Sequence, residues 1–279
     1  RRNVSTKIKT LLLSDQSNPK WVDWSNFMGH IYKLCVILSK NRHMNKINFF
    51  FIFLFFVSFT NQKLVKVPEN FSKKVIPENF SSDWYKLNNS SDDYSVQNKN
   101  GKLEIKNIEP QNGSKLKVKN GILVGNNGGE WGGELLYQSD NSKLKPEKIK
   151  EGNIVKIFEF QNKIYFVEGL AHMNYSGGAL YELNTIQSQF KFEKLLDFED
   201  APEAIETSKD KIYVASHQNF YVIENLSKKM IFENEFWTSL YPNSIAVFND
   251  ENIFIGMRSG IAKLNLKDKK IEFYRENNK

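Results

Sequence analysis

The chain has 279 residues, 40% of them hydrophobic, which is long enough to bury a full core without disulfide bonds. Its formal net charge of +7 comes from residues 1–60, which hold nine of the 39 Lys and Arg but two of the 32 acids, so residues 61–279 carry 30 of each. Because acids and bases alternate in this balanced part, the sequence excludes a basic stripe for nucleic-acid binding.

Residues 1–43 show no sustained helix or strand period and place Trp21, Trp24 and Cys35 among polar neighbours. We interpret them as an extension upstream of the native start. A genuine cytoplasmic extension is the alternative, with Met28 as a second candidate start. Since Cys35 is the single cysteine, the rest of the chain has no disulfide, thiolate nucleophile or cysteine metal site.

Residues 44–60 have the order of a secretory signal peptide. Lys46 supplies a positive charge, an apolar run extends from Phe49 to Val57, and Ser58-Phe59-Thr60 offers a small-x-small cleavage pattern. The run is shorter than the roughly 20 residues that a spanning helix needs. This pattern predicts export to the periplasm or the extracellular space. The alternative is an uncleaved signal anchor, which would be the sole link to a membrane.

Residues 61–93 contain a local duplication, in which VPENFS from Val67 is repeated nine residues later as IPENFS from Ile76. Proline disfavours helix in the preceding residue and donates no hydrogen bond to a sheet. The segment, also rich in Asn, Ser and Lys, therefore predicts an extended tether, from which Phe71 and Phe80 are candidates to dock onto the domain.

Residues 94–279 consist of short runs rich in Ile, Val, Phe and Tyr, separated by turn residues, which is typical of antiparallel strands. Four similar runs recur at separations of 42, 48 and 41 residues, each with a predicted strand before it and another after it. They are GILVGNN from Gly121, KIYFVEG from Lys163, KIYVASH from Lys211 and NIFIGMR from Asn252.

A repeat of about 40 to 45 residues with four strands indicates a propeller blade. Two finer matches support it: Pro202 aligns with Pro242, and the pair Gly132-Gly133 aligns with Gly177-Gly178. We predict an all-β fold, a β-propeller of about five four-stranded blades. The sequence leaves open whether the ring of blades is closed or incompletely closed. A sandwich of two sheets is the alternative.

Glu203 and Asn243 each follow a proline at the start of a predicted first strand. In a propeller such positions converge on the axis, and their oxygen atoms are hard donors suited to calcium. The two turns resemble the PNG and PDG turns of the gluconolactonase and regucalcin-like propellers, although Ala204 and Ser244 stand where glycine is usual. The resemblance implies a divalent metal that polarises a lactone carbonyl.

Glu130, in GNNGGEWGGELL, is the candidate third ligand of this metal site. A solvated loop acid is the alternative for Glu130, and turn caps that accept backbone hydrogen bonds are the alternative for Glu203 and Asn243. The glycine-rich loop around Glu130 is not a phosphate cradle, because it lacks the lysine and runs into a strand.

Trp131 and the insertion LAHMNYS, from Leu170 to Ser176, fall in corresponding loops of two repeats. They predict that Trp131, His172, Met173 and Tyr175 share one rim and form a ligand-binding surface. The alternative is that Trp131 and Tyr175 pack over the ends of the blades.

His172 is a candidate general base, with Glu168 four residues away as a possible partner. His217, in the turn SHQN, is interpreted as structural. The sequence has no G-x-S-x-G elbow, HExxH helix or paired-cysteine motif. On these motifs we expect that the protein is neither a serine hydrolase nor a zinc protease.

Three hypotheses about function follow. The first is an exported protein that binds a small molecule or an exported protein partner at the channel mouth and rim loops, with no catalytic residue assigned. The second is a calcium-dependent lactonase-like hydrolase, and the third is a structural surface protein. Fold alone does not choose among them.

Overall fold

A computed structural model of the chain describes residues 65–109, 113–186 and 189–277. They belong to the second of two units, residues 64–279. The upstream extension predicted for residues 1–43 and the signal peptide predicted for residues 44–60 lie outside the described residues. Within the described ranges, no helix is both long and apolar enough to cross a membrane.

The described part of the chain is all-β apart from one α-helix and one short 3-10 helix at Gly129–Trp131. Its first elements are β1 (Phe71–Lys74), α1 (Ser82–Asn88), β2 (Tyr94–Lys99) and β3 (Lys102–Asn107). Sheet I contains β4 (Ser114–Val118), β5 (Gly121–Asn127), β6 (Gly133–Ser139) and β7 (Glu147–Glu151). Sheet II contains β8 (Ile154–Phe160), β9 (Lys163–His172), β10 (Tyr175–Ile186) and β11 (Gln189–Phe198).

Two further sheets complete the described chain. Sheet III contains β12 (Pro202–Ser208), β13 (Lys211–Ser216), β14 (Phe220–Glu224) and β15 (Ser227–Phe232). Sheet IV contains β16 (Ser244–Asn249), β17 (Asn252–Met257), β18 (Gly260–Asn265) and β19 (Lys270–Glu276), and β1 joins it as a fifth strand beside β19. In all four sheets, consecutive strands pair in antiparallel order, as short linking turns allow. The hairpin β2–β3 is separate, and its turn at Asn100 and Gly101 has positive φ values of 54° and 77°.

The predicted four-strand repeat is confirmed by the strand register. The isoleucines of the four runs each occupy the second position of the second strand in their sheet. They are Ile122, Ile164, Ile212 and Ile253. The glycine match is confirmed too, because a Cβ atom on Gly133 or Gly178 would collide with a backbone carbonyl oxygen of the adjacent strand, that of Asn126 or Glu168. Glycine is needed there for close backbone approach.

Neighbouring sheets share apolar cores. Leu123 of sheet I packs in one cluster with Phe166 of sheet II. Sheets II and III share another, through Val167 and Val214. Sheets III and IV share a third, and the hairpin β2–β3 packs Val96 against sheet IV. Each sheet thus buries apolar side chains against a neighbour, which a single four-stranded sheet cannot do alone.

Residues 65–93 pack against sheet IV and against the connection between β15 and β16. The sequence instead predicted an extended tether over residues 61–93. Strand β1 pairs with β19, and Phe71 is buried beside Tyr94. Helix α1 begins at the N-cap Ser81 and buries Trp84 and Leu87. The prediction missed this helix because its seven residues bury only one pair of apolar side chains at helical spacing, Trp84 and Leu87, and its flanks are polar and rich in proline. Of the two phenylalanines, Phe71 docks and Phe80 is exposed.

Candidate functional site

A cavity of about 650 Å³ lies among the first strands of three sheets and the hairpin β2–β3. Residues of β12 line it from Glu203 to Ser208, so the cavity follows that strand over nearly its whole length. Strands β2, β3, β8 and β16 contribute the other walls. The convergence of first strands that the repeat predicted is therefore present for sheets II, III and IV.

The cavity wall is mainly polar. Hydroxyl and amide side chains line it, together with acids and bases that largely offset one another. The uncharged polar residues are Ser95, Gln97, Asn98, Asn100, Thr207, Ser208, Asn243 and Ser244, and the charged residues are Glu104, Lys106, Lys156, Glu203 and Glu206. Such a wall suits an uncharged, hydrogen-bonding ligand better than an apolar one.

Asn243 connects sheet IV to the segment that leads into β2. Its side-chain nitrogen donates to Asp93 Oδ1 at 2.5 Å and to the Tyr94 carbonyl oxygen at 3.1 Å. Its side-chain oxygen accepts from Ser244 Oγ at 2.7 Å. Asp93 is buried, and burial raises the pKa of its carboxyl against the lowering effect of Asn243 and Arg258. The side chain of Asn243 therefore has a structural role.

Glu203 lines the cavity at the beginning of β12 and contacts His217. Glu203 Oε1 lies 2.8 Å from His217 Nδ1, while Oε2 is buried with no hydrogen-bond partner among the described residues. Burial raises the pKa of the Glu203 carboxyl, although the hydrogen bond and charge of His217 oppose this. A buried carboxylate beside a histidine is typical of a site in which the acid orients the ring.

His217 lies between Glu203 and a serine that the sequence analysis did not consider. Its Nε2 atom is 3.4 Å from Oγ of Ser239, in the connection between β15 and β16. Burial lowers the pKa of His217, but the hydrogen bond that its ring donates to Glu203 and the charges of Glu203 and Asp200 outweigh this effect, so the net shift is upward. The predicted turn at His217 is present, and its ring additionally bridges two loops.

Asp200 fixes the turn that carries His217. This buried carboxylate accepts from Ser176 Oγ at 2.6 Å, from Ser216 Oγ at 2.5 Å and from the Gln218 backbone N–H at 2.8 Å. The His217 backbone N–H also donates to the Ala201 carbonyl oxygen at 2.9 Å. Since Ser176 belongs to sheet II, the Asp200 network joins sheets II and III directly behind His217.

The predicted calcium ligands are only partly brought together. Glu203 and Asn243 line one cavity, whereas Glu130 lies in the loop between β5 and β6 and is not among the cavity residues. Across the described ranges, no group of three or more His, Cys, Asp or Glu side chains is placed to hold a metal ion. The calcium site stays a prediction.

The two loops predicted to share a rim do meet. His172 Nε2 lies 3.3 Å from Glu130 Oε2, so the 3-10 turn of sheet I contacts the long β9–β10 hairpin of sheet II. The neighbouring apolar side chains are open to solvent, with Trp131 87%, Met173 91% and Tyr175 59% exposed. Trp131 therefore does not pack over the end of a sheet. The partner of His172 is Glu130 and not Glu168, which pairs with Lys150.

Glu235, next to the Ser239 turn, supplies a pH-dependent contribution to stability. Burial raises the pKa of its carboxyl to about 7. A raised carboxyl pKa stabilises the fold below the unfolded value, near 4.5, and this stabilisation is lost as pH rises through about 7. We expect Glu235→Gln to be about 1–2 kcal/mol more stable than the wild type at pH 8, because water partly screens the half-buried carboxylate, and equally stable at pH 4.5.

Urea unfolding of Glu235→Gln across this pH range measures the effect. Glu233→Gln, a change of the same type at an exposed position two residues away, is the control and should follow the wild type at every pH. A Glu235→Gln advantage that is the same at pH 4.5 and pH 8 would contradict the assignment.

Comparisons with known proteins assign no family. No family model matches the chain, and no curated protein matches it. One similar solved structure is titled "Crystal structure of the computationally designed Ika4 protein". It is 11% identical, covers 58% of this chain and 89% of its own, and has a TM-score of 0.33. No family match supports the resemblance to the gluconolactonase propellers.

Proposed function

We propose that sheets I to IV and the hairpin β2–β3 are blades of an incompletely closed β-propeller, which binds a protein partner through its rim loops. The shared cavity among first strands and the sequence of paired cores support the blade arrangement. The pairing of β1 with β19 supports it too, because one sheet then contains strands from both ends of the described chain. The hairpin supplies the first two strands of the remaining blade.

The observation that carries the binding proposal is the exposure of Trp131, Met173 and Tyr175 on two loops in contact. We call these three residues the rim patch. Large aromatic side chains left in water are unfavourable in a monomer, and Trp and Tyr are the residues that contribute most at protein interfaces. Met173 adds a flexible apolar contact. Glu130 and His172, the sequence neighbours of Trp131 and Met173, contact each other and so supply polar groups beside these apolar side chains, as protein interfaces do.

A protein partner is favoured over a small molecule at the rim patch because the three side chains project outward. Trp131 and Met173 are nearly fully exposed and form no enclosed pocket among the described residues. Small ligands bind in concave sites that bury most of their surface. A small polar molecule would fit the cavity instead, where hydroxyl and amide side chains are concentrated.

Site-specific crosslinking tests the proposal. A photoreactive phenylalanine analogue at position 131 is expected to form one discrete protein adduct in the producing cells, whereas the analogue at exposed Leu144, between β6 and β7, is not. Unlabelled wild-type protein should compete for that adduct. Trp131→Ala should need about 30-fold more protein to compete, as for loss of an interface residue worth roughly 2 kcal/mol.

The matched competitor is Leu144→Ala, which should compete like the wild type. Equal adducts from positions 131 and 144, or equal competition by Trp131→Ala and Leu144→Ala, would contradict binding at the rim patch. Thermal melting of each variant shows that the fold is retained.

A further inference from the structure

We propose that Ser239, His217 and Glu203 form an esterase site, in which Ser239 is the nucleophile, His217 the general base and Glu203 the residue that positions His217. Glu203 also lines the cavity, whereas Ser239 lies on the far side of His217, and the site would take a small carboxylic ester. It is a further activity, independent of partner binding at the rim patch.

Ser239 is presented by a turn whose other residues are buried. Phe236, Trp237, Thr238 and Leu240 are buried, and Ser239 is partly exposed. Backbone hydrogen bonds from Thr238 to Glu235 and from Leu240 to Trp237 hold the turn, at 3.2 and 2.8 Å. Ser239 has a φ of +55°, a conformation that a non-glycine residue adopts at a cost and that is frequent at functional sites.

The imidazole of His217 is placed so that its two nitrogens have different roles. An ionised Glu203 accepts a hydrogen bond from Nδ1–H at 2.8 Å, which leaves the lone pair of Nε2 facing Ser239. The 3.4 Å between Nε2 and Ser239 Oγ is long, and this contact commonly tightens only when substrate is bound. The order acid, histidine, serine thus extends from the cavity wall outward.

The surroundings of Glu203 fit a residue that positions the His217 ring. Its Oε1 atom lies 2.8 Å from His217 Nδ1, and its Oε2 atom is buried without a hydrogen-bond partner among the described residues. The charged groups that face His217 are Glu203, on β12, and Asp200, which precedes that strand, and both favour the imidazolium formed during reaction. The G-x-S-x-G motif that the sequence lacks belongs to one fold, and the same constellation occurs on unrelated folds.

The reaction consists of two successive acyl transfers, first to Ser239 and then to water. Ser239 Oγ forms a bond to the ester carbonyl carbon while its proton moves to His217 Nε2. The carbon–oxygen bond to the alcohol then breaks, and the departing oxygen takes that proton. Water attacks the acyl-serine, gives a proton to Nε2 and displaces Ser239 Oγ, which recovers the proton. The net change is hydrolysis of an ester to an acid and an alcohol.

The placement of Ser239 indicates the substrate class. Glu203 lines the cavity, but His217 and Ser239 are not among the cavity residues, and His217 lies between Glu203 and Ser239. The reacting carbonyl would therefore lie at Ser239, outside the cavity, where this side chain is partly exposed. A small carboxylic ester that reaches Ser239 from solvent fits this arrangement.

Labelling with a fluorophosphonate probe tests the nucleophile in the wild-type chain. Peptide mapping is expected to find the phosphonyl group on Ser239. Turnover of p-nitrophenyl acetate should fall about 10³-fold or to background in Ser239→Ala and His217→Gln. Ser227→Ala, at an exposed serine in sheet III, should keep both labelling and turnover. Turnover should rise with pH through a pKa above the usual value of histidine, because Nε2 must be unprotonated.

The Glu203→Gln variant tests whether Glu203 positions His217 or only stabilises the fold. It should lower turnover about 10²-fold and move the midpoint of the pH profile down, because the charge that raises the His217 pKa is removed. A probe adduct on another serine, or no adduct on the folded wild type, would overturn the proposal. So would a Ser239→Ala variant that melts like the wild type and keeps its turnover.

Discussion

Replacing Trp84 with alanine is expected to lower the free energy of unfolding by about 3–5 kcal/mol. Trp84 is 2% exposed, and its indole N–H donates to the Phe236 carbonyl oxygen at 3.0 Å. Alanine would leave a cavity in the contact between helix α1 and the β15–β16 connection, and it would leave the Phe236 carbonyl without this donor. Denaturant unfolding gives the change, and the thermal midpoint should fall with it.

Tyr85→Ala is the matched control for Trp84→Ala, because Tyr85 is the next residue of α1 and is about half exposed. Its loss should cost less than about 1 kcal/mol, mainly through the ring contact with Trp84. An equal, small effect of both changes would mean that residues 65–93 behave as the tether that the sequence predicted and not as part of the fold.

Replacing Asp200 with alanine is expected to cost about 3 kcal/mol of stability and to slow fluorophosphonate labelling of Ser239. Asp200 is 1% exposed and accepts hydrogen bonds from Ser176, Ser216 and Gln218. Alanine leaves these donors without that acceptor and releases the turn that holds His217. Urea unfolding and the labelling rate measure the two effects.

The control for Asp200→Ala is Asp197→Ala, three residues earlier, where the exposed carboxylate pairs with Lys194. Exposed ion pairs contribute little, so this change should stay within about 0.5 kcal/mol. If Asp200→Ala also stays within that limit, the Asp200 network does not hold sheets II and III together.

Strand positions were predictable because the signals are local. The isoleucine runs depend on side-chain alternation along a strand. Each of the matching glycine pairs, Gly132-Gly133 and Gly177-Gly178, supplies a glycine for close backbone approach, and the turns after each run depend on residues that tolerate positive φ. The repeat therefore indicated four-stranded antiparallel sheets, and the register confirms them. The same local reasoning failed at α1, a helix of seven residues that is held by the tertiary contacts of Trp84 and Leu87 and not by its own propensity.

The all-β class, the four-strand repeat and the contact between the loops of Glu130 and His172 could be predicted from the sequence, because each follows from spacing along the chain. Three contacts became visible only in the folded structure: Glu203 and Ser239 both approach His217, Asn243 joins two parts of the fold, and His172 pairs with Glu130. These contacts connect different loops. Their distances depend on how the sheets pack and on side-chain rotamers, and no periodicity in a single sequence encodes those quantities.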